Sequence, residues 1–350
     1  MSINSSCHSG WKADSNFYVM GKNMKAMKTI GVYDTPELAF ESLGFTWNED
    51  LATKGAGYLE PTHSDYFYMD TIGGVVYSAN KMVKAYWVPS EGAKLGRKDQ
   101  NLIFQRAIKA QLEDKACERN KNKCAAECAE RIWKLGQPCK EHPFLTKRHL
   151  KPVDALRIID YKLAYELHSE NLKVLGVDGH FGFKCSGGQY LSDESPLLVF
   201  PFRNLRGEIQ SVMLVDNVGQ ESFLYGSRYY GAFWGTDPLE QFEAIKKLGV
   251  TQSVASALCV GQLKQFPVIA AASLSNLKVV VKELYEGFDQ FFLLLDANSS
   301  DPEIEVLARK IHAYIAKPEF DATMEQNYLQ LGFKGKPNNF SDFYLLKGEI

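Results

Sequence analysis

No run of about 18 apolar residues occurs anywhere in the 350-residue chain, so no membrane-spanning helix is expected. The opening residues, Met1–Gly10, are polar and lack the apolar core of a secretory signal. There is no low-complexity tract and no long acidic block, which excludes a disordered tail as the main content. The seven cysteines are odd in number and scattered, which fits reduced thiols in a cytoplasmic setting better than a disulfide framework. The histidines (His8, His63, His142, His149, His168, His180, His312) show no HExxH or other metal spacing and read as structural. Gly187-Gly188 lacks the lysine of a nucleotide-binding phosphate loop.

What is present is a globular composition. Hydrophobic residues make up 45% and charged residues 23%, enough for a sizeable core in two or three domains. The net charge of −2 is unevenly spread: Lys94–Lys151 holds 15 Lys/Arg against 7 Asp/Glu, so the rest is acidic. That basic segment reads either as a phosphate-facing surface or as the solvated face of a helix.

Met1–Met27 reads as a polar leader with one aromatic patch, Phe17-Tyr18-Val19. Thr35-Pro36-Glu37 has the N-cap, first-turn proline and first-turn acid that start a helix, predicted to run through Ala39, Phe40 and Leu43 to Gly44. Turns at His63-Ser64-Asp65 and Gly73-Gly74 separate the strand-like Tyr66–Met69, Val75–Tyr77 and Tyr86–Val88, a small antiparallel unit. Asn101–Leu135 has no proline or glycine and carries an apolar stripe with Lys and Arg elsewhere, which predicts one long basic helix or a helix pair. Cys117, Cys124 and Cys128 would share a face of it, but their spacing, with Cys139 beyond, is not that of a zinc site. Small core cysteines are expected instead, and no zinc.

Leu197–Arg203 and Ile209–Val215 form a predicted hairpin around Asn204–Gly207. After it the pattern alternates: helix at Ser253–Gln265, strand at Val268–Ala270, helix at Leu277–Tyr285, strand at Phe291–Leu295 and helix at Glu303–Ile315. This period predicts an α/β C-terminal domain, a parallel sheet flanked by helices, preceded by an α+β N-terminal region with a long basic helix. Ser273–Asn276 reads as a helix N-cap, with phosphate binding at the same backbone as the other reading.

From His142 onward the pieces fall in a recognisable order. His142-Pro143-Phe144-Leu145-Thr146-Lys147-Arg148 comes first, then Pro201-Phe202-Arg203 with Gly207 and Ser211, then Phe223-Leu224-Tyr225-Gly226 through Gly231-Ala232-Phe233. Gln252–Ala257, Pro267–Ala271, Ser275-Asn276-Leu277, Leu295-Asp296-Ala297-Asn298 and Asn339-Phe340-Ser341-Asp342 follow. In order and spacing the chain resembles the Toprim-domain primase-like proteins of plasmids, phages and integrative elements, as a degenerate member. Lys81–Trp87 extends the resemblance loosely toward the N-terminus.

The resemblance implies four segments: a small α+β region at 1–100, a long basic helical connector at 101–140, an α+β subdomain like the primase core at 141–245, and a Toprim-like domain at 246–350. It implies metal-assisted phosphoryl transfer at a glutamate and an Asp-x-Asp pair holding magnesium. Here Gln252 stands in the glutamate position and Asn298 in that of the second aspartate; Asp296 and Asp342 keep their carboxylates. An amide carries no charge and takes no proton near neutrality, so magnesium binding is expected to be weak and DNA primase (nucleotidyltransferase) chemistry absent or slow. Asp301 or Glu303 could substitute as a metal ligand. The bland reading of Asp296 is a turn cap, and of Gln252 and Asn298 plain surface polars.

Lys147, Arg148, Arg203 and Arg228 take the places of residues that meet template or nucleotide phosphates. Phe200, Phe202, Tyr229, Tyr230 and Trp234 read as base-stacking rings or as core, with core favoured for Phe200 and Phe202. The implied partners are single-stranded DNA or RNA and replication proteins such as a helicase, in the replication of a mobile element or in interference with it. An active magnesium-dependent primase with a remodelled site, and a non-enzymatic inhibitor or interaction module on the same scaffold, are the alternatives.

Overall fold

The computed structural model describes residues 27–59, 65–78, 80–90, 93–177, 182–185, 188–194, 196–236 and 246–348. The Phe17-Tyr18-Val19 patch, the His63-Ser64 part of the first turn and Gly187 lie outside them. The chain divides into two compact units, Met1–Arg119 and Asn120–Ile350.

The first unit is a five-stranded sheet, β1 (Lys28–Tyr33), β2 (Ala56–Leu59), β3 (Asp65–Asp70), β4 (Gly73–Ser78) and β5 (Val83–Trp87), in the order β1-β5-β4-β3-β2. Only β1 pairs in parallel, with β5. Tyr66 and Phe67 are both buried because both faces of the sheet are covered. On one face α1 (Pro36–Glu41) brings Ala39 and Phe40 against Phe67, Val76 and Trp87. The helix begins as predicted, with Thr35 as its cap and Pro36 in its first turn. On the other face Ile103, Phe104 and Ala107 pack on Tyr66, Val75 and Tyr77. Gly74 is glycine because its backbone lies flat on the Trp87 indole, where any Cβ would overlap the ring. A short helix, α2 (Glu49–Lys54), precedes β2.

The predicted basic helix is a single element of 39 residues, α3 (Arg97–Leu135), and the unit boundary falls within it. Its lysines meet acids one turn away, Lys109 with Glu113, Lys123 with Glu127 and Lys134 with Glu130. These pairs lie on a solvated helical face. Of its cysteines Cys128 is core, as is Cys139 beyond it, but Cys124 is only half-buried and Cys117 is exposed, so the shared face is not covered along its whole length.

In the second unit β6 (Gln137–Pro138), β7 (Arg157–Ile159), β8 (Leu197–Arg203), β9 (Ile209–Val215) and β10 (Glu221–Phe223) make an antiparallel sheet in the order β10-β9-β8-β7-β6. Cys128, Ala129 and Ile132 of α3 and Ala164 and Leu167 of α5 (Tyr161–Val174) cover one face. On the other, Phe200 and Phe202 are fully buried with Phe144 of α4 (Pro143–Lys147) and with Trp234, as core residues.

The C-terminal sheet runs β11-β13-β12-β14-β15, from β11 (Trp234–Gly235), β12 (Lys247–Thr251), β13 (Val268–Ala270), β14 (Gln290–Leu294) and β15 (Tyr314–Ala316). All but β11 are parallel. Helices α6 (Val254–Lys264) and α10 (Phe340–Lys347) pack on one face, α7 (Leu274–Leu284) and α8 (Pro302–Ile311) on the other. α9 (Ala322–Gln330) precedes α10. The expected alternation is present, with the strand β12 and the helices α9 and α10 unpredicted and one helix corrected. The helix predicted over Glu303–Ile315 stops at Ile311 because His312 takes a left-handed conformation (φ 55°), and Tyr314–Ala316 then forms an unpredicted strand beside β14.

Candidate functional site

A parallel sheet leaves a crevice at the carboxyl ends of its strands, and β12 and β14 lead there. β12 ends at Thr251, and Gln252 follows before Ser253 caps α6. β14 ends at Leu294, opposite Thr251, and the chain continues through Asp296 into a turn closed by Ser299 N–H to Asp296 C=O at 2.9 Å.

Asn338 holds that turn. Its carbonyl accepts from Ala297 N–H at 2.7 Å, its side-chain oxygen from Asn298 N–H at 3.1 Å, and its side-chain amide donates to Asp296 Oδ2 at 3.4 Å. Its own N–H donates to Asp342 Oδ2 at 2.9 Å, which links the Asp296 turn to the start of α10. Gln252 reaches the same turn by donating to Ser299 Oγ at 2.7 Å. The structure thus gathers Gln252, Asp296, Asn298 and Asp342 around one residue and one turn. Asn298 is exposed and enters through its backbone.

Asp342 is engaged on both oxygens. Oδ2 accepts from the N–H groups of Asn338 and Asn339 as half of a capping box; Oδ1 accepts from Tyr328 Oη at 2.9 Å and from Arg148 Nη1 at 2.5 Å. The Arg148 and Asp342 side chains are only 13% and 3% exposed, so this ion pair is internal. Its charge and hydrogen bond outweigh the burial that would lower the guanidinium, and Arg148 is held above its ordinary range. Arg148 comes from the C-cap of α4, the helix of the His-Pro-Phe-Leu motif. That motif is structural: His142 accepts from Phe144 N–H through Nδ1 at 3.3 Å and donates from Nε2 to Pro196 C=O at 2.9 Å.

Asp301 is committed elsewhere. It caps α8 and pairs with Lys278 at 2.9 Å, which holds its carboxyl below the usual range. Lys147 donates to Gly332 C=O at 3.1 Å and sits 4.2 Å over the Phe333 ring. Arg203, at the end of β8, donates to Gly207 C=O at 2.7 Å and lies 5.7 Å from the Trp133 ring. Arg228 is exposed on the loop after β10.

Sequence reasoning missed Glu221. On β10 it shares a face with Phe223, which packs in the core around Phe144, and it feels the charges of Arg148 and Asp296. Surrounding protein and the Asp296 charge push its carboxyl up to about 7 against the opposing pull of Arg148. The side chain is exposed rather than in the core. Nothing local marks it, because it comes from a different sheet.

Burial, then the nearby Asp342 charge, pushes Asp296 from 3.8 up to about 6. Its Oδ1 is buried without a partner among the described residues, as is the Thr251 hydroxyl on the neighbouring strand end. The folded state therefore binds the Asp296 proton more tightly than the unfolded chain does. Stability from this group is full below about pH 4 and is lost as pH rises toward 6. Asp296→Asn is expected to raise stability at pH 7 by roughly 1–3 kcal/mol and to flatten that stretch of the profile. Urea unfolding at several pH values checks it; a less stable variant at pH 7 would contradict this account of the site.

Magnesium, the ion implied by the resemblance, does not fit these residues. It needs several hard oxygens in strict geometry, and Asp296 offers one unengaged carboxylate oxygen. Asp342 is filled, Gln252 turns its amide to Ser299, and among the described residues no three His, Cys, Asp or Glu side chains are placed to share a metal ion.

No family model matches the chain, and no curated protein matches it. Among solved structures it is similar to the primase fragment of the bacteriophage T7 primase-helicase protein, at TM-score 0.29 and 19% identity over 41% of this chain. The match spans 62% of that fragment's own length. It is also similar to the RNA polymerase domain of Mycobacterium tuberculosis primase DnaG, at TM-score 0.39 and 12% identity over 66% of this chain and 80% of that one. A DNA primase domain from Pseudomonas aeruginosa gives TM-score 0.40 and 12% identity over 57% and 72%.

Proposed function

We propose that this chain is a primase-like, nucleic-acid-binding protein in which the Toprim-type acidic site has become a structural ion-pair centre and no longer supports metal-dependent primer synthesis. The observation that carries this reading is the Arg148–Asp342 pair. A guanidinium neutralises from within the acid of the terminal motif, while Gln252 and Asn298 supply no charge to replace it. The motif order supports a Toprim scaffold, and exposed basic and aromatic groups support binding to single-stranded DNA or RNA in the replication of a mobile element. A helicase or another replication protein is the protein partner this role calls for.

Two measurements test it. Fluorescence anisotropy with single-stranded DNA is expected to show binding that weakens steeply with salt, with log K falling by about 0.7 per phosphate contact for each tenfold rise in salt. Primer synthesis with magnesium or manganese is expected to give no product. Product that disappears in Asp296→Ala would overturn the non-catalytic part in favour of a remodelled primase, and no binding at low ionic strength would overturn the nucleic-acid part.

A further inference from the structure

We propose that the loop Tyr225–Gly231 is a pre-built stacking platform for unpaired nucleotides, with Tyr225 and Tyr230 as the rings that meet bases and Arg228 as the phosphate contact. This rests on the nucleic-acid reading above and names the surface that performs it. Tyr225 is 49% and Tyr230 54% exposed, beside an exposed Arg228 that makes no ion pair among the described residues. Two half-solvated aromatic rings flanking a cation in one short loop add little to the core. They do match single-strand binding, where every base offers a π face and every linkage a charge.

The loop is rigid for reasons independent of those three side chains. Gly226 and Gly231 turn the chain at φ 74° and 78°. Tyr229 between them stacks inward on Phe223, with centroids 4.3 Å apart and planes 12° apart. Ser227 N–H donates to Leu224 C=O at 3.1 Å, and Ala232 N–H to Tyr229 C=O at 2.9 Å. Beneath lies the fully buried Asn276 of α7, which accepts from Gly231 N–H at 2.6 Å and whose amide nitrogen, with two hydrogens to share, lies 2.8–3.0 Å from the carbonyls of Tyr229, Ala232 and Ala271. Ala271 N–H in turn donates to Thr251 C=O, one residue before Gln252, which ties the platform to the strand end at the candidate site. The Ser227 hydroxyl is buried in the same loop without a partner among the described residues. A loop ordered in advance loses little entropy on binding, and its rings are displayed without being needed for its shape.

The carboxylate of Glu283 lies beside Gly231, so the local charge is not uniformly positive. Stacking must then add to whatever affinity the phosphate contacts supply, and this sets the test. Anisotropy is measured with an oligothymidylate and with an abasic oligomer of equal length, for the wild type, Tyr225→Ala/Tyr230→Ala, the corresponding double Phe variant and Arg228→Ala. The double Ala variant is expected to lose roughly thirtyfold or more on the oligothymidylate, to be unchanged on the abasic oligomer, and to be rescued by Phe. Arg228→Ala is expected to weaken both oligomers alike and to reduce the salt slope by about 0.7. Thermal melts confirm that each variant is folded. If the wild type binds and the double Ala variant binds equally well, or loses both oligomers alike, the platform is wrong while the nucleic-acid reading stands; a wild type that binds neither oligomer overturns both.

Discussion

Arg148→Met is expected to destabilise the second unit by about 3–5 kcal/mol, the range for removing one partner of a buried ion pair. The size follows from what is left behind. Asp342 is 3% exposed in its side chain and would keep Tyr328 and two backbone N–H donors but lose the cation bonded to it. Asp296 would feel the uncompensated Asp342 charge more strongly, so its carboxyl would move further up. Arg148 also lies over the Phe144 and Phe333 rings at 5.3 and 5.0 Å, and Met retains part of that packing. The loss therefore reports mainly on charge. Urea unfolding checks it: the midpoint should fall with the slope unchanged. A paired variant, Arg148→Met with Asp342→Asn, should recover much of the stability, because two apolar or neutral partners leave no orphan charge. If the single variant costs under about 1 kcal/mol, as an exposed pair would, the site is not held by an internal cation and the metal-free reading loses its basis.

The same pair shows where the sequence was legible and where it was not. The strand and helix alternation after Val250 could be read from period alone, and so could the Thr35 and Ser273 caps, because these are local features of a few residues. Gln252, Asp296, Asn298 and Asp342 were found through motif order, and the fold does gather them. The role of Arg148 was not legible. A basic residue after a short helix looks the same whether it faces phosphate or an acid 194 positions away. Glu221 was invisible for a similar reason, since only the packing of two sheets brings it toward Asp296. The strand at Tyr314–Ala316 was lost because its apolar residues continue the spacing of the preceding helix, and the stop at His312 is a backbone conformation rather than a Gly or Pro signal.

Asn276→Leu is expected to destabilise the unit by roughly 3–5 kcal/mol, comparable to the loss of Arg148 but without any charge. Asn276 is fully buried and uses both ends of its amide: the oxygen accepts from Gly231 N–H, and the nitrogen faces the carbonyls of Tyr229, Ala232 and Ala271. Leucine has similar volume and no polar atom, so packing is kept while a buried donor and several acceptors lose a partner. Each such orphan costs about 1–3 kcal/mol, and partial relaxation of the loop toward water lowers the total. Asn276→Asp should be worse near neutrality, because a carboxylate would face three carbonyl oxygens with no proton to donate. As pH falls and the buried acid takes up a proton, part of the donor function returns, so this variant should gain stability relative to the Leu variant at low pH. Hydrogen exchange locates the effect. Gly231 and Ala232 N–H should lose protection first, while β12 and β14 keep theirs until global unfolding. Equal loss across the sheet would mean that Asn276 supports the core of the domain rather than the loop, and the rigidity argued for Tyr225 and Tyr230 would then need another source.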